Sequence, residues 1–444
     1  MDLARTSVAA LLYRLIGMSF WLLVGIVTAR ALSLSDRGTY TSAVIVIGSV
    51  GTIGSSFAAA SGYFVSNRRR AAAEVLCNEV VLSLGIGVAA LVGSLAVAAF
   101  LHGESRAIVM LVGFALLVEV ARNAIGGVFL SVRAIAKYSF IAYGNALCGG
   151  LCVVTWVLLF GHRTVVPVLC AWVIGQYAAF VASALLAWRW WSWLPEHGID
   201  RALIRQIVGF GSVTGLIAVA GFLSGRAGQL LVTAINGTSG AGVYASAVAL
   251  SDGLLFFSAA VATASYEQVG SLSREQSALL TARAVRHAAL ISWVGALVLF
   301  IAAPIMVRLL YGQRYEGAVT PLRILVVGAA AGIPWGLFAN YFIVQRGRPA
   351  VVLWLTVAAS VLNLAGGAAL INAFGYSGAA MASTASSIAI TSAMVVLFLR
   401  SSGIPFRQLW QPQRGDISEY FALARSLVPG LRAAPLITTT EDKA

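Results

Sequence analysis

Charge is what this sequence has least of. Over 444 residues only 10% are Asp, Glu, Lys or Arg, against 59% hydrophobic residues. A water-soluble chain of this length needs about a quarter charged residues to cover its surface, so a soluble globular protein is excluded. The chain reads as a polytopic membrane protein. Acid is scarcer than base: 16 Asp and Glu stand against 30 Lys and Arg, a formal net charge of +14. In a soluble protein that excess would raise the question of nucleic acid. Here no basic cluster is interleaved with aromatics on a polar segment, so nucleic acid is not expected as a partner. Cytoplasmic loops facing anionic lipid explain the surplus.

Histidine and cysteine are nearly as scarce. His102, His162, His197 and His287 lie in or beside surface segments, with no carboxylate or thiol at catalytic or metal spacing. Cys77, Cys148, Cys152 and Cys170 lie in or at the edges of apolar runs. Cys148 and Cys152 share a helix face at i,i+4, but nothing completes a metal set, and the four read as small buried hydrophobes. There is no P-loop, so direct use of ATP is not expected. Gly85-Ile86-Gly87 falls inside an apolar run, where no dinucleotide cradle can form. No metal, no cofactor and no enzymatic activity are expected. The first apolar stretch is interrupted by Arg14 and runs on to Leu32, too long for a cleaved signal, so it reads as an uncleaved first span.

Long apolar runs fill most of the chain. With about 20 apolar residues per span, twelve helices are predicted. The first six cover roughly 8–32, 39–65, 75–101, 107–131, 139–160 and 165–190. The second six cover roughly 207–235, 241–267, 285–310, 319–344, 349–371 and 377–400. The longest polar inserts are 191–206 and 268–284. This divides the chain into an N-lobe (1–190), a cytoplasmic linker (191–206), a C-lobe (207–400) and a cytoplasmic tail (401–444).

The two sets of six resemble each other. Val27-Thr28-Ala29-Arg30-Ala31-Leu32, a polar turn and Gly38-Thr39-Tyr40-Thr41-Ser42-Ala43-Val44 join the first two runs. Val232-Thr233-Ala234, a Gly/Ser-rich turn and Gly242-Val243-Tyr244-Ala245-Ser246-Ala247-Val248 join the seventh and eighth. Phe129-Leu130-Ser131-Val132-Arg133 and Phe342-Ile343-Val344-Gln345-Arg346 form a second matching pair, and Phe160-Gly161 and Phe374-Gly375 a third. All three pairs keep their order at spacings a little over two hundred residues. Internally duplicated membrane chains are most often transporters. Six spans is an even number, so both halves enter the membrane in one direction and the repeats are parallel. The expected fold is all-α, with about twelve transmembrane helices in two parallel six-helix repeats around a central cavity.

Lys and Arg set the orientation. With the N-terminus in the cytoplasm, twenty of the 30 basic residues fall on cytoplasmic segments. Seven, Arg30, Arg37, Arg106, Arg163, Arg308, Arg314 and Arg323, fall on outside segments and their margins. Both termini are therefore placed inside.

Ionisable side chains within spans are costly and so are candidates for function. Glu119 and Arg122 are i,i+3 neighbours in the fourth helix. Arg226 and Asp252 lie in the seventh and eighth, both about 18–21 Å below the outer end at ~1.5 Å per residue, and are placed to pair. Arg14 lies near the cytoplasmic edge of the first helix, as a ligand or as a snorkelling side chain. Two readings of the Glu119–Arg122 and Arg226–Asp252 pairs stay open. One is a neutralised pair that fixes helix packing. The other is a polar cavity whose arginines hold an anionic substrate, phosphate above all, while the carboxylates balance charge or carry a coupling proton.

Arg30-Ala31-Leu32 with Asp36-Arg37-Gly38-Thr39-Tyr40 resembles the A-R-x-L-x-x-x-x-x-G-x-Y turn of bacterial polysaccharide and O-antigen flippases. Gly242-Val243-Tyr244-Ala245-Ser246-Ala247 is similar to their G-x-Y-x-x-A helix start. The Arg133 and Arg346-Gly347-Arg348 loops and Gly375-Tyr376-Ser377-Gly378-Ala379-Ala380 resemble family landmarks too. The resemblance runs from residue 5 to 400. It places the chain in the multidrug/oligosaccharidyl-lipid/polysaccharide exporter superfamily and implies two six-helix lobes around a cationic central cavity. It also implies a function: flipping a polyprenyl-diphosphate-linked oligosaccharide from the inner to the outer leaflet of the bacterial cytoplasmic membrane. Membrane lipid and other polysaccharide-assembly proteins are the implied partners. Arg226, Arg122 and Arg14 become the candidate substrate ligands, with Glu119 and Asp252 as coupling or charge-balancing groups. The family often carries an Asp-Arg pair in helix 7. Here Gly225-Arg226 keeps the arginine only, and Asp252 is the candidate to replace the aspartate in space. A cation-coupled multidrug exporter of the same superfamily would favour an acidic, aromatic-lined cavity. A membrane polymerase or acyltransferase would need a sizeable outside loop or paired catalytic groups, and a structural scaffold would leave the buried charges without a role.

The orientation is tested by labelling. In a series of single-cysteine variants, an impermeant thiol reagent added outside should modify positions in 233–241 and spare those in 268–284. The reverse pattern would overturn both the topology and the direction of transport.

Overall fold

The computed structural model describes residues 2–61, 64–65, 70–132, 134–161, 164–188, 198–271 and 273–410; the side chains of 2–15 and 255–271 lie outside that description. Of the expected linker 191–206, residues 191–197 fall outside the described residues and 201–206 are already helical; most of the expected tail, from 411 to 444, also falls outside. The N-terminal half contains α1 (Asp2–Ala31), α2 (Leu34–Ser61), α3 (Ala72–Ala99), α4 (Gly103–Ser131), α5 (Ile135–Phe160) and α6 (Val165–Leu186). Next comes the helical stretch Arg201–Ser271, broken where Gly237 adopts φ 76° and ψ 177°. Its arms are α7 (201–236) and α8 (238–271). The C-terminal half continues with α9 (Arg274–Leu310), α10 (Val319–Gly332), α11 (Pro334–Asn340), a π turn Tyr341–Gln345, α12 (Pro349–Phe374), α13 (Tyr376–Ser402) and the short α14 (Phe406–Trp410). Among the described residues, eight helical segments are each long and apolar enough to cross a membrane.

Two departures from the expected spans have clear causes. The insert 268–284 is helical from Arg274 onward, because Ser273 and Gln276 form a reciprocal capping box and so start α9 early. Ala278, Ala282 and Val285 bury one face of this extension. The hydrogen-bond ladder of the tenth span is interrupted between α10 and α11 at Pro334, which supplies no amide hydrogen, while Ile333 keeps helical φ and ψ.

The helices sort into two packed groups. Within the first, α1 packs on α5, α3 and α2 on α4, and α6 on α4 and α5. Within the second, α12 packs on α13 and on the α7–α8 stretch, and α10 on α9 and α13. Peripheral helices point large apolar side chains outward, including Val92, Leu158, Leu297 and Ile305. That inverts the soluble pattern and matches a lipid surround.

The two groups meet along α2. Their closest approach is at the ends bearing the repeated motif, where both hairpin turns stand side by side. A Cβ on Gly38 would overlap the Thr238 carbonyl and stand 3.0 Å from the Gly242 nitrogen. A Cβ on Gly242 would overlap the Leu34 carbonyl and stand 3.3 Å from the Gly38 nitrogen. The reciprocity is complete, since Leu34 and Thr238 each lie four residues before the glycine of their own copy. Ser35 and Thr238 hydroxyls bond at 2.7 Å, and Ser42 and Thr233 at 2.9 Å. Both α2 and α8 start at this motif end, so the local two-fold runs along the helices rather than across them. Further from the motif end, a Cβ on Gly48 of α2 would stand 3.4 Å from the Phe222 ring of α7. At the opposite end, Ala60 and Phe64 pack with Leu203 and Ile207 of α7.

Alanine at Gly38 or Gly242 should cost about 1–3 kcal/mol or more through overpacking, read as a lower melting temperature of the purified protein. Gly85→Ala meets open space and should melt at or above the parent, since alanine favours helix. Equal melting of Gly38→Ala and Gly85→Ala would refute the backbone-to-backbone contact.

Candidate functional site

The expected partnership across the α7–α8 hairpin is present. Arg226 Nη2 stands 2.9 Å from Asp252 Oδ2, and the two side chains are 35% and 27% exposed. Two faces of the hairpin explain this intermediate position. Ala227 and Gln229 of α7 and Ser251 and Leu254 of α8 are buried. Gly221 and Gly225 on α7 and Gly253 on α8 face open space, with no atom within 4 Å of a Cβ position. The pair sits at the border between these faces. Arg226 is also one turn from Phe222, which touches Gly48 of α2, so the pair adjoins the seam between the two halves. A guanidinium cannot shed its charge, so a mid-span arginine needs both a partner and polar access. Here it has an acid on one side and open space on the other.

The second expected pair is also formed, in a different setting. Arg122 Nη2 lies 2.7 Å from Glu119 Oε1, and both residues are buried. Arg122 Nη1 donates to the Ile141 carbonyl at 2.7 Å. Asn123 donates to the Gly51 carbonyl at 3.0 Å and to Glu119 Oε1 at 3.4 Å. With its amide oriented to satisfy both groups, Gln176 donates to Glu119 Oε2 at 3.2 Å and accepts from Trp172 Nε1 at 3.2 Å. This network ties α2, α4, α5 and α6 together with the acid surrounded by donors. The structure thus brings Glu119 and Arg122 together inside the first half, with the acid against Gly51 of α2. The Arg14 side chain lies outside the described residues.

A third cluster, at the motif end, was not legible as a site. Arg30 at the end of α1 donates to the Leu310 carbonyl at 3.0 Å and to the Leu309 carbonyl at 2.5 Å. In return Arg314, just beyond α9, donates to the Ala29 carbonyl at 2.5 Å and the Arg30 carbonyl at 2.9 Å. Each helix C-terminus has orphan carbonyls and a partial negative charge, and each is capped by the other half's arginine. Between them Arg37 is fully buried, donating to the Gly25 carbonyl and to Thr28 Oγ1 at 2.7 Å. Its guanidinium lies over the Tyr311 and Tyr315 rings, 5.3 and 5.8 Å from their centroids. Burial pushes the Tyr311 phenol up from its ordinary range, with Arg37 opposing, so the ring stays neutral beneath the cation. In sequence these arginines read as outside-margin residues. The available signal was the clustering of Tyr311, Arg314 and Tyr315 in a short turn of an otherwise apolar half.

The arrangement offers a partly exposed arginine beside open space, at the seam of two halves that are joined at one end by polar contacts. The comparisons with known proteins agree with it. The family model described as polysaccharide biosynthesis protein matches residues 27–320. No curated protein matches the chain. Among solved structures, the lipid II flippase MurJ in an inward closed conformation is similar with a TM-score of 0.70 at 11% identity, over 95% of this chain and 93% of that one. An inward-facing multidrug resistance MATE family transporter of the MOP superfamily is similar with a TM-score of 0.69 at 15% identity, over 89% and 98% of the two chains. A MOP superfamily transporter from Pyrococcus furiosus, reported with a binding pocket of reverse polarity, has a TM-score of 0.62 at 14% identity, over 90% and 95%. These likenesses establish the MOP transporter fold. The chain belongs to the polysaccharide biosynthesis protein family.

The two ion pairs should separate on mutation. Arg122→Ala leaves Glu119 buried and unpaired, which should cost about 3–5 kcal/mol and remove most of the protein from the membrane. Arg226→Ala, at a partly exposed pair, should accumulate and melt within a few degrees of the parent. Equal accumulation of the two variants in quantitative membrane blots would refute the contrast.

Proposed function

Taking that family membership as the premise, we propose that the protein flips a polyprenyl-diphosphate-linked oligosaccharide between leaflets, from the inner to the outer face of the bacterial cytoplasmic membrane. What carries the reading is the Arg226–Asp252 pair, half-exposed beside open space at the seam of a non-enzymatic MOP-type transporter. A diphosphate offers two negative groups and oxygens at the spacing a guanidinium fork binds. Asp252 holds the arginine in place until the headgroup displaces it. The lipid tail stays in the bilayer while the sugar and diphosphate cross along the seam.

The orientation follows from the basic residues: the motif end faces outward and both termini face the cytoplasm. The interlocked arginines at Arg30 and Arg314 then close the outer side, and their release opens it. Arg14 contributes a further cation near the cytoplasmic entrance. Arg122 acts through packing, as a positioning residue for the first half. Other polysaccharide-assembly proteins supply the substrate and take the product.

Flipping is measured as lipid-linked oligosaccharide reaching the outer leaflet of oriented membrane vesicles. Arg226→Ala should lower it by more than about tenfold, the loss of a charge-assisted contact of 1.5–3 kcal/mol, at normal protein abundance. Arg226→Lys should recover only part, since a point charge lacks the fork, while Asp252→Asn should retain flipping. Normal flipping by Arg226→Ala would place anion capture elsewhere, and a cargo of cationic drugs moved at parental rates by Arg226→Ala would favour an exporter instead.

A further inference from the structure

In sequence Arg323 is only a basic residue at an outside margin. It stands in the first turns of α10, in the run Thr320-Pro321-Leu322-Arg323-Ile324-Leu325-Val326-Val327. Leu322, Leu325 and Val326 bury one face of this helix in the C-terminal half. Thr320, Arg323, Ile324 and Val327 recur at helical spacing on the other face and remain partly or fully accessible. With Phe300 of α9 and Thr384 of α13 they line a groove of about 410 Å³, within the ~300–1,000 Å³ that small-molecule sites occupy.

Two contacts fix the walls of this groove. Thr384 Oγ1 donates to the Ile324 carbonyl at 2.9 Å, and a Cβ on Gly328 would overlap that threonine, so α10 lies close against α13. On the other side Arg323 Nε donates to the Phe300 carbonyl at 3.2 Å, and the guanidinium lies over the Phe300 ring, 5.2 Å from its centroid. That bond spends the Nε hydrogen, and neither Nη has a partner among the described residues. Glu316, the acid nearest in sequence, pairs with Arg308 at 3.5 Å. Asp2, Glu196, Glu267 and the acids beyond Trp410, which lie outside the described side chains, stand in sequence at helix ends opposite the motif. The groove opens on the lipid-facing wall: Leu297 and Ile301 around Phe300, and Met381 and Ile388 around Thr384, are exposed. It also lies near the motif end, since a Cβ on Gly317, just before α10, would overlap the hydroxyl of Tyr376 at the start of α13.

We propose that this groove binds one anionic phospholipid of the leaflet at the motif end, its phosphate on Arg323 and Thr320 and an acyl chain along Phe300, Ile324 and Val327. Order and charge identify the occupant. A phospholipid is polar at the membrane surface and apolar beneath it. The groove repeats that order: Thr320 and Arg323 come first from the start of α10, and Val327 lies about 12 Å along the helix. A guanidinium held through Nε keeps its Nη donors for phosphate oxygens, and the Thr320 hydroxyl adds another donor. The lining holds no carboxylate for the ammonium of a zwitterionic headgroup, so an anionic headgroup is the better match. An arginine that only snorkels extends toward water. This one bonds a carbonyl ten residues before the end of α9. On the orientation set by the basic residues the leaflet is the outer one. The site does not rest on the flippase reading, and its test uses no transport substrate.

Native mass spectrometry of the full chain, purified in detergent, reads the bound lipid directly. One phosphatidylglycerol should be retained per protein, about tenfold more tightly than phosphatidylcholine, the contribution of one charge-assisted contact. Arg323→Ala should remove that preference. Arg106→Ala, at an exposed arginine near the start of α4, should keep it. Phosphatidylglycerol with a photoreactive acyl chain should label the peptide that carries Ile324 and Val327, and inorganic phosphate at millimolar concentration should leave the lipid bound. Equal retention of the two lipids by the parent, unchanged retention in Arg323→Ala, equal loss in Arg106→Ala, labelling that spares α10, or displacement by phosphate would each overturn the proposal. Thr320→Trp fills the groove from an exposed position and leaves Arg323 with its carbonyl bond. Should Arg323→Ala fail to accumulate, this variant decides: lost retention supports the site and unchanged retention overturns it.

Discussion

At the motif end two helix C-termini exchange arginines, and the rest of the bundle is arranged around that exchange. A helix that ends in or near a bilayer leaves carbonyls with little water to bond them. Arg30 caps α9 and Arg314 caps α1, so neither half satisfies its own end. The exchange is possible because Gly38 and Gly242 let the two hairpins meet without side chains between them. Arg37, held between them over two tyrosine rings, fills the remaining gap with a cation rather than a void.

The same solution recurs wherever acid is short. With 16 acidic residues against 30 basic ones, many arginines have no carboxylate to meet, and at several described positions backbone carbonyls take the place of counter-ions. Arg274 donates to the Ser401 carbonyl at 3.0 Å at the end of α13, and Arg323 to the Phe300 carbonyl at 3.2 Å. Bonds of this type suit parts that separate, because parting strands no carboxylate in the bilayer. Glu119 and Arg122 are the opposite case. Their separation would leave two charges buried, so they hold α4 to its neighbours within the first half. Arg226 and Asp252 lie between these extremes, paired yet partly exposed.

Much of this was legible in the chain. A span is recognised by length and hydropathy, both local properties, so the helices and the duplication were readable, as was the pairing of Arg226 with Asp252, which follows from counting residues from a shared turn. Glu119 and Arg122 were found for the same reason, being one turn apart on one helix. The start of α9 was misplaced because an amphipathic extension with a capping box resembles a loop when only apolar length is counted.

The sequence by itself determined that this is a duplicated all-helical membrane protein whose halves enter the bilayer in the same direction, with few ionisable groups in its spans. Only the tertiary structure decided which of those groups are sealed and which are open. It also decided that three margin arginines join one half to the other. The physical reason is the range of the forces involved. Hydropathy and helical periodicity act along the chain, within a few turns. Hydrogen bonds from a guanidinium, and the desolvation of a carboxyl, depend on atoms more than a hundred residues away in sequence that come within a few ångströms only when the two halves close.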